Sequence, residues 1–212
     1  MALTQKYQND TIEWLIWEVD TFDETAIDAF SNMLHCPYLE KNLNSIKTTK
    51  RKIEFLGARY LLKVLFGECI ELLYNTSGSP YISNSDWNIS ITHSGKYIAV
   101  ARSKKRLGID IEQISEKLER TKHKFSSDKE LSFIDQQQNL YQLCLYWSAK
   151  ESVYKLVSNE ALIFDEEMQI EAFTPKNKGT FLLKLNSKLN ALDLNIHYRK
   201  IENYVFTYCI EA

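Results

Sequence analysis

The stretch LYWSAKESVYKL, residues 145–156, constrains the fold more than any other. Projected on a helix it is apolar nearly all the way round, and a helix of that kind belongs in a core. Yet it carries Lys150, Glu151 and Lys155. At about 100° per residue, Trp147, Glu151 and Lys155 fall within one stripe about 80° wide. Leu145, Ala149, Val153 and Leu156 lie opposite, and Lys150 flanks the charged stripe. A Glu151–Lys155 pair one turn apart on a surface helix would contribute only ~0.3–0.5 kcal/mol, and taken alone it is the simpler explanation. The chemical alternative gives Glu151 to a metal or a proton, and the lysines to phosphate oxygens.

A second segment shifts that balance. In GIDIE, residues 108–112, positions two apart on a strand share a face. Asp110 and Glu112 therefore sit side by side, while Leu107, Ile109 and Ile111 turn to the core. Two carboxylates in a row repel, and either solvent or a hard cation with oxygen ligands must offset the repulsion. Three carboxylates with lysines beside them suit metal-assisted phosphate chemistry. A third segment, ISITHSG (89–95), sets Thr92, His93 and Ser94 in a polar turn where an imidazole and hydroxyls could converge on an anion.

The 212-residue chain has three prolines and six glycines, so no flexible linker is visible. A formal net charge of −2 gives no global field toward nucleic acid or membrane. There is no basic-then-apolar leader and no run of ~18 apolar residues, which fits a cytoplasmic protein. Cys36, Cys69, Cys144 and Cys209 are widely spaced in apolar surroundings, which predicts reduced core thiols.

The pattern of elements predicts an α+β protein in two similar halves, 1–105 and 106–212. The first half reads as a strand at 12–19, helices at 23–34 and 48–67, a strand–turn–strand at 71–82, and strands across 86–103. The second half begins with a strand at 106–112. Helices follow at 126–137 and 139–157, with Ser127 and Glu130 spaced as a capping box. Four strands, at 167–173, 179–185, 192–200 and 203–210, close an antiparallel sheet.

GIDIE, the WSAKESVYK segment 41 positions further on from Asp110 to Glu151, and the upstream THS together resemble the 4′-phosphopantetheinyl transferases. The resemblance is closest to the monomeric, surfactin-synthetase-associated type, and spans about Leu56 to Val157. It implies two pseudo-symmetric α/β halves with the site between them. It also implies transfer of 4′-phosphopantetheine from coenzyme A to a serine of an apo acyl or peptidyl carrier protein, releasing adenosine 3′,5′-bisphosphate. Asp110, Glu112 and Glu151 would hold Mg²⁺, or Mn²⁺, against the diphosphate. Glu151 would help deprotonate the serine, and Lys155 with Lys150 would neutralise the diphosphate. His93, with Thr92 beside it, would meet the nucleotide 3′-phosphate.

One departure stands out: GSPYI (78–82) has Ser79 where the family carries a basic residue, which leaves Lys41, Lys47 and Arg51 as upstream substitutes. Carrier proteins of this system are acidic, and Lys117, Arg120, Lys122 and Lys124 in KLERTKHKF (117–125) are candidates for docking, against the alternative of a solvated mobile loop. Two other functions fit parts of the pattern. One is a different Mg²⁺-dependent enzyme acting on a diphosphate or nucleotide; the other is a non-catalytic coenzyme A-binding relative.

Overall fold

Burial, more than propensity, sets the long elements: the strands at 13–18, 97–103 and 107–113 are buried along nearly their whole length. The computed structural model describes residues 2–36, 39, 43–158 and 161–211. They group into two compact units, Met1–Lys104 and Lys105–Ala212.

The first unit begins with a strand that the sequence pattern does not announce, β1 (Ala2–Gln8), paired antiparallel with β2 (Glu13–Glu18). Helix α1 (Glu24–Leu34) starts where the Asp23 carboxylate accepts the Ala26 N–H. Helix α2 (Thr49–Phe66) is capped by the Thr48 hydroxyl and ends at Gly67 with φ 79°, a left-handed cap that favours glycine. A short ribbon follows, β3 (Leu72–Tyr74) with β4 (Pro80–Ile82). The hairpin β5 (Asn88–Ser94) and β6 (Tyr97–Ser103) completes an antiparallel sheet of order β1-β2-β6-β5. Leu15, Trp17, Phe30, Leu34, Ile53, Leu56 and Val100 form its helix-side core.

Within this unit Cys36 and Cys69 form a disulfide. This corrects the expectation of four reduced thiols. The cysteines lie just past the ends of α1 and α2, and those ends converge: Lys63 Nζ on α2 donates to the Met33 and Leu34 carbonyls of α1 at 3.1 and 2.7 Å. Cys144 and Cys209 are free and buried, as expected.

The second unit opens with β7 (Leu107–Gln113) and a short helix α3 (Glu116–Thr121) that runs into a tight turn at 122–124. The basic segment 117–125 is therefore folded, because Leu118 and Phe125 are buried and anchor it. Helix α4 (Asp128–Leu131) has the predicted capping box but only four residues. It stops early because the Gln142 side chain takes over the chain after it, accepting the Asp135 N–H at 3.0 Å and donating to the Phe133 carbonyl at 3.2 Å. Helix α5 (Asn139–Val157) is the long helix of the unit, followed by α6 (Phe164–Glu167). Four strands finish it: β8 (Met168–Ile170), β9 (Lys178–Asn186), β10 (Ala191–Ile201) and β11 (Tyr204–Ile210). The sheet is antiparallel, ordered β7-β11-β10-β9-β8.

In the first unit β2 lies beside β6, and in the second β7 lies beside β11. Among the described residues no helix is long and apolar enough to cross a membrane.

Candidate active site

The second unit brings GIDIE and WSAKESVYK together by direct packing of α5 on β7 and β11. Small residues make the approach possible. A Cβ at Gly108 would overlap the Ser152 carbonyl oxygen and would lie 2.9 Å from the Leu156 nitrogen, so only glycine lets the helix backbone rest on the strand. Ser148 and Ser152 do the same over β11. Their hydroxyls meet the Thr207 hydroxyl at 2.9 and 2.6 Å, so the contact is close and its polar atoms are satisfied. Leu145, Ala149, Val153 and Leu156 fill the core as the helical projection predicts.

This seating sets the charged stripe against the strand. Lys155 Nζ donates to Asp110 Oδ1 at 2.8 Å and to the Ile109 carbonyl at 3.1 Å. Lys155 is thus drawn to the strand rather than to Glu151 one turn back. Asp110 is almost fully buried, while Glu112, at the open end of β7, is half-buried and accepts its neighbour's Gln113 N–H at 2.9 Å. Glu151 is held up at about 7. Burial is the main cause and the negative charge of Asp110 the next; Lys155 acts in the opposite direction and Glu112 adds to the rise. The three carboxylates therefore share one electrostatic field.

Lys150 does not belong to that field. Its ammonium is fully buried, 2.8 Å from Glu130, and donates to the Phe164 carbonyl at 3.0 Å. Burial lowers its pKa and Glu130 raises it. The expectation that Lys150 meets phosphate is corrected on this ground: an ammonium with no solvent exposure and two strong acceptors has no access to a ligand. Glu130 was visible in the sequence only as a capping residue; its role as a counter-ion depends on a contact twenty positions away.

An apolar recess of about 610 Å³ opens beside Glu112. Leu118, Phe125, Trp147, Ile163 and Phe164 line it, with Lys117 and Lys124 on its wall. Of the other basic residues in this segment, Lys122 is bound to Glu119 at 2.6 Å and Arg120 is exposed.

In the first unit, His93 lies within β5 and not in a turn, because the strand runs on through Ser94 to a turn at Gly95. Alternation on the strand then puts the Thr92 side chain on the face opposite His93, where it is buried, so the two side chains do not converge. His93 instead meets Arg51, Nη1 to Nε2 at 2.7 Å, and Glu54, Nδ1 to Oε1 at 3.3 Å. With Arg59 and Tyr74 these residues line a recess of about 230 Å³. Arg51 thus sits beside the histidine, Lys47 is exposed, and Lys41 lies outside the described residues. Ser79 closes a turn in which its N–H donates to Asn75 Oδ1 at 2.8 Å.

The donor set of the second unit suits a hard divalent cation: carboxylate oxygens only, with burial first and the Asp110 charge next holding Glu151 up at about 7. Among the described residues no three histidine, cysteine or acidic side chains are already gathered at metal-holding distance. Lys155 sits on Asp110 Oδ1, where a cation bound by Asp110 would compete with it. The residues fit the ion in charge and in ligand type.

No curated protein matches the chain. Residues 106–209, nearly the whole of the unit that holds Asp110, Glu112, Glu151 and Lys155, match the family model of the 4′-phosphopantetheinyl transferase superfamily.

Proposed function

We propose that the protein is a holo-carrier-protein synthase: it moves 4′-phosphopantetheine from coenzyme A to a serine hydroxyl of an apo acyl or peptidyl carrier protein. The serine oxygen attacks the phosphorus that carries the pantetheine arm. The bond to the bridging diphosphate oxygen breaks, and adenosine 3′,5′-bisphosphate leaves. One observation carries the reading: within the unit that matches the superfamily, Glu151 is raised to about 7 beside Asp110, and Lys155 lies 2.8 Å from that same aspartate.

Each group then has a task. Glu151, partly buried at the candidate site, would take the proton from the attacking serine hydroxyl. Asp110, Glu112 and Glu151 would hold a Mg²⁺ ion, with Mn²⁺ as an alternative. That ion, when bound, would withdraw charge from the diphosphate and stabilise the leaving phosphate. Lys155 would turn from Asp110 toward phosphate oxygen as Asp110 becomes a metal ligand. The recess beside Glu112 would take the pantetheine arm, whose dimethyl group suits an aromatic lining. His93, with Arg51 rather than Ser79 as its basic companion, would meet the 3′-phosphate. Lys117, Arg120 and Lys124 would face an acidic carrier, with Lys122 already committed to Glu119. The first and second units are proposed as related halves because they repeat the strand–helix–hairpin order.

The test is intact-mass measurement of a panel of apo carriers after incubation with coenzyme A and Mg²⁺. A phosphopantetheine gain that disappears with EDTA and with Glu151→Gln supports the proposal. Turnover of coenzyme A without any carrier gain would refute it.

A further inference from the structure

Lys150 and Glu130 are both fully buried, yet neither touches the proposed reacting groups. A buried ion pair is no guarantee of stability, since desolvation offsets most of the attraction. What this pair connects is more informative. The Glu130 carboxylate accepts the Ser127 N–H and hydroxyl at 2.8 and 3.1 Å, which ties it to the start of α4. It also accepts the Ile170 N–H of β8 at 2.8 Å. Lys150 adds α5 to this hub and reaches on to the Phe164 carbonyl.

Phe164 is gripped a second time. Its ring lies 5.8 Å from both Trp147 and Tyr154, which stand on the same ridge of α5 as Lys150. The segment 161–167 between α5 and β8 is therefore a strap, pinned at Phe164 by one ammonium and two rings. Within it the Glu167 carboxylate accepts the Ile163 N–H at 2.7 Å, and Leu162 packs against the core of the unit. Leu162, Ile163, Phe164 and Asp165 form one wall of the recess beside Glu112.

We propose that Glu130 and Lys150 are positioning residues for transfer: the buried pair fixes the strap, and the strap fixes the wall against which the pantetheine arm lies. This rests on the transferase reading above. Neither residue contacts substrate, so their loss would weaken coenzyme A binding and leave the chemistry of Asp110, Glu151 and Lys155 largely intact.

Three variants test it: Lys150→Met, Glu130→Gln/Lys150→Met, and Phe164→Ala. Lys150→Met strands a buried carboxylate and would lower stability. The double variant removes that charge, keeps a capping oxygen at position 130, and would recover most of the stability. It would still lack the donor to the Phe164 carbonyl. The expected result is a rise of ~10-fold in KM for coenzyme A in all three, with kcat within about 3-fold of the parent. Amide exchange in 161–167 would be faster in each. A purely structural pair predicts that KM and exchange recover in the double variant together with stability, and that outcome overturns the proposal. So does an unchanged KM in Phe164→Ala, which leaves the pair in place and stays informative if the other variants fail to fold. If the unmodified protein transfers nothing, the transferase reading is what fails. Exchange then decides for the strap alone, and protection of 161–167 unchanged by Lys150→Met would overturn its pinning.

Discussion

Replacing Gly108 with alanine would test how the two charged segments are brought together. The added Cβ would lie 2.8 Å from the Ser152 carbonyl carbon and 2.9 Å from the Leu156 nitrogen, with the Ser152 oxygen nearer still. All three obstacles are backbone, so no rotamer change relieves them. The helix must lift from β7 by on the order of 1 Å, against core side chains that are already close-packed. Overpacking of this kind costs about 1–3 kcal/mol, and the upper end applies where backbone meets backbone. The same lift would move Glu151 away from Asp110. A displacement of ~1 Å in a reacting group can lower kcat/KM by about 100-fold. Urea unfolding and carrier modification would be measured on the same preparation. The expected result is a lower midpoint with an unchanged denaturant slope, and activity reduced more than stability explains. A Gly108→Ala protein within ~0.5 kcal/mol of the parent would refute the close seating of α5 on β7.

Three further outcomes follow from the same geometry. Glu151 titrates at about 7 when folded against 4.5 ordinarily, so the unfolded chain loses its proton first and stability falls as pH rises from 4.5 to 7. Glu151→Gln would remove that fall: it gains nothing at pH 4 and gains most above pH 7. The shift corresponds to about 3 kcal/mol, reduced to ~1–2 by solvent access; equal melting curves at pH 8 would refute it. Lys155→Met would leave Asp110 without its ammonium, costing about 2 kcal/mol by chemical denaturation and pushing Glu151 higher still. Reducing the Cys36–Cys69 bond, which joins positions 33 apart, would lower the stability of the first unit by about 2–4 kcal/mol; a melting profile insensitive to dithiothreitol would show that the link contributes nothing.

Local pattern carried much of this protein. The 3.6-residue period of 139–157 separated Leu145, Ala149, Val153 and Leu156 from the stripe of Glu151 and Lys155, and the period of two set Asp110 apart from Ile109 and Ile111. Those are properties of a single element, and the apolar faces they mark out are buried, although on β7 Asp110 is buried as well. Strand β1, ALTQKYQ, is not legible in the sequence because its alternation of apolar and polar residues is weak. The expected 126–137 helix shortened because Gln142, from a different element, captured the chain after Leu131.

The roles of individual charges depended on partners distant in the chain. Lys150 and Lys155 are chemically alike and five positions apart, yet one is locked to Glu130 in the interior and the other lies on Asp110 at the candidate site. Thr92 and His93 are adjacent, yet the strand turns them to opposite faces. Cys36 and Cys69 were expected as thiols, and the converging ends of α1 and α2 joined them. Sequence by itself determined which residue types and faces were available for phosphate chemistry, because periodicity is local. Only the tertiary structure decided which of those charges stays accessible, because desolvation and pairing depend on what other segments bring within about 3 Å.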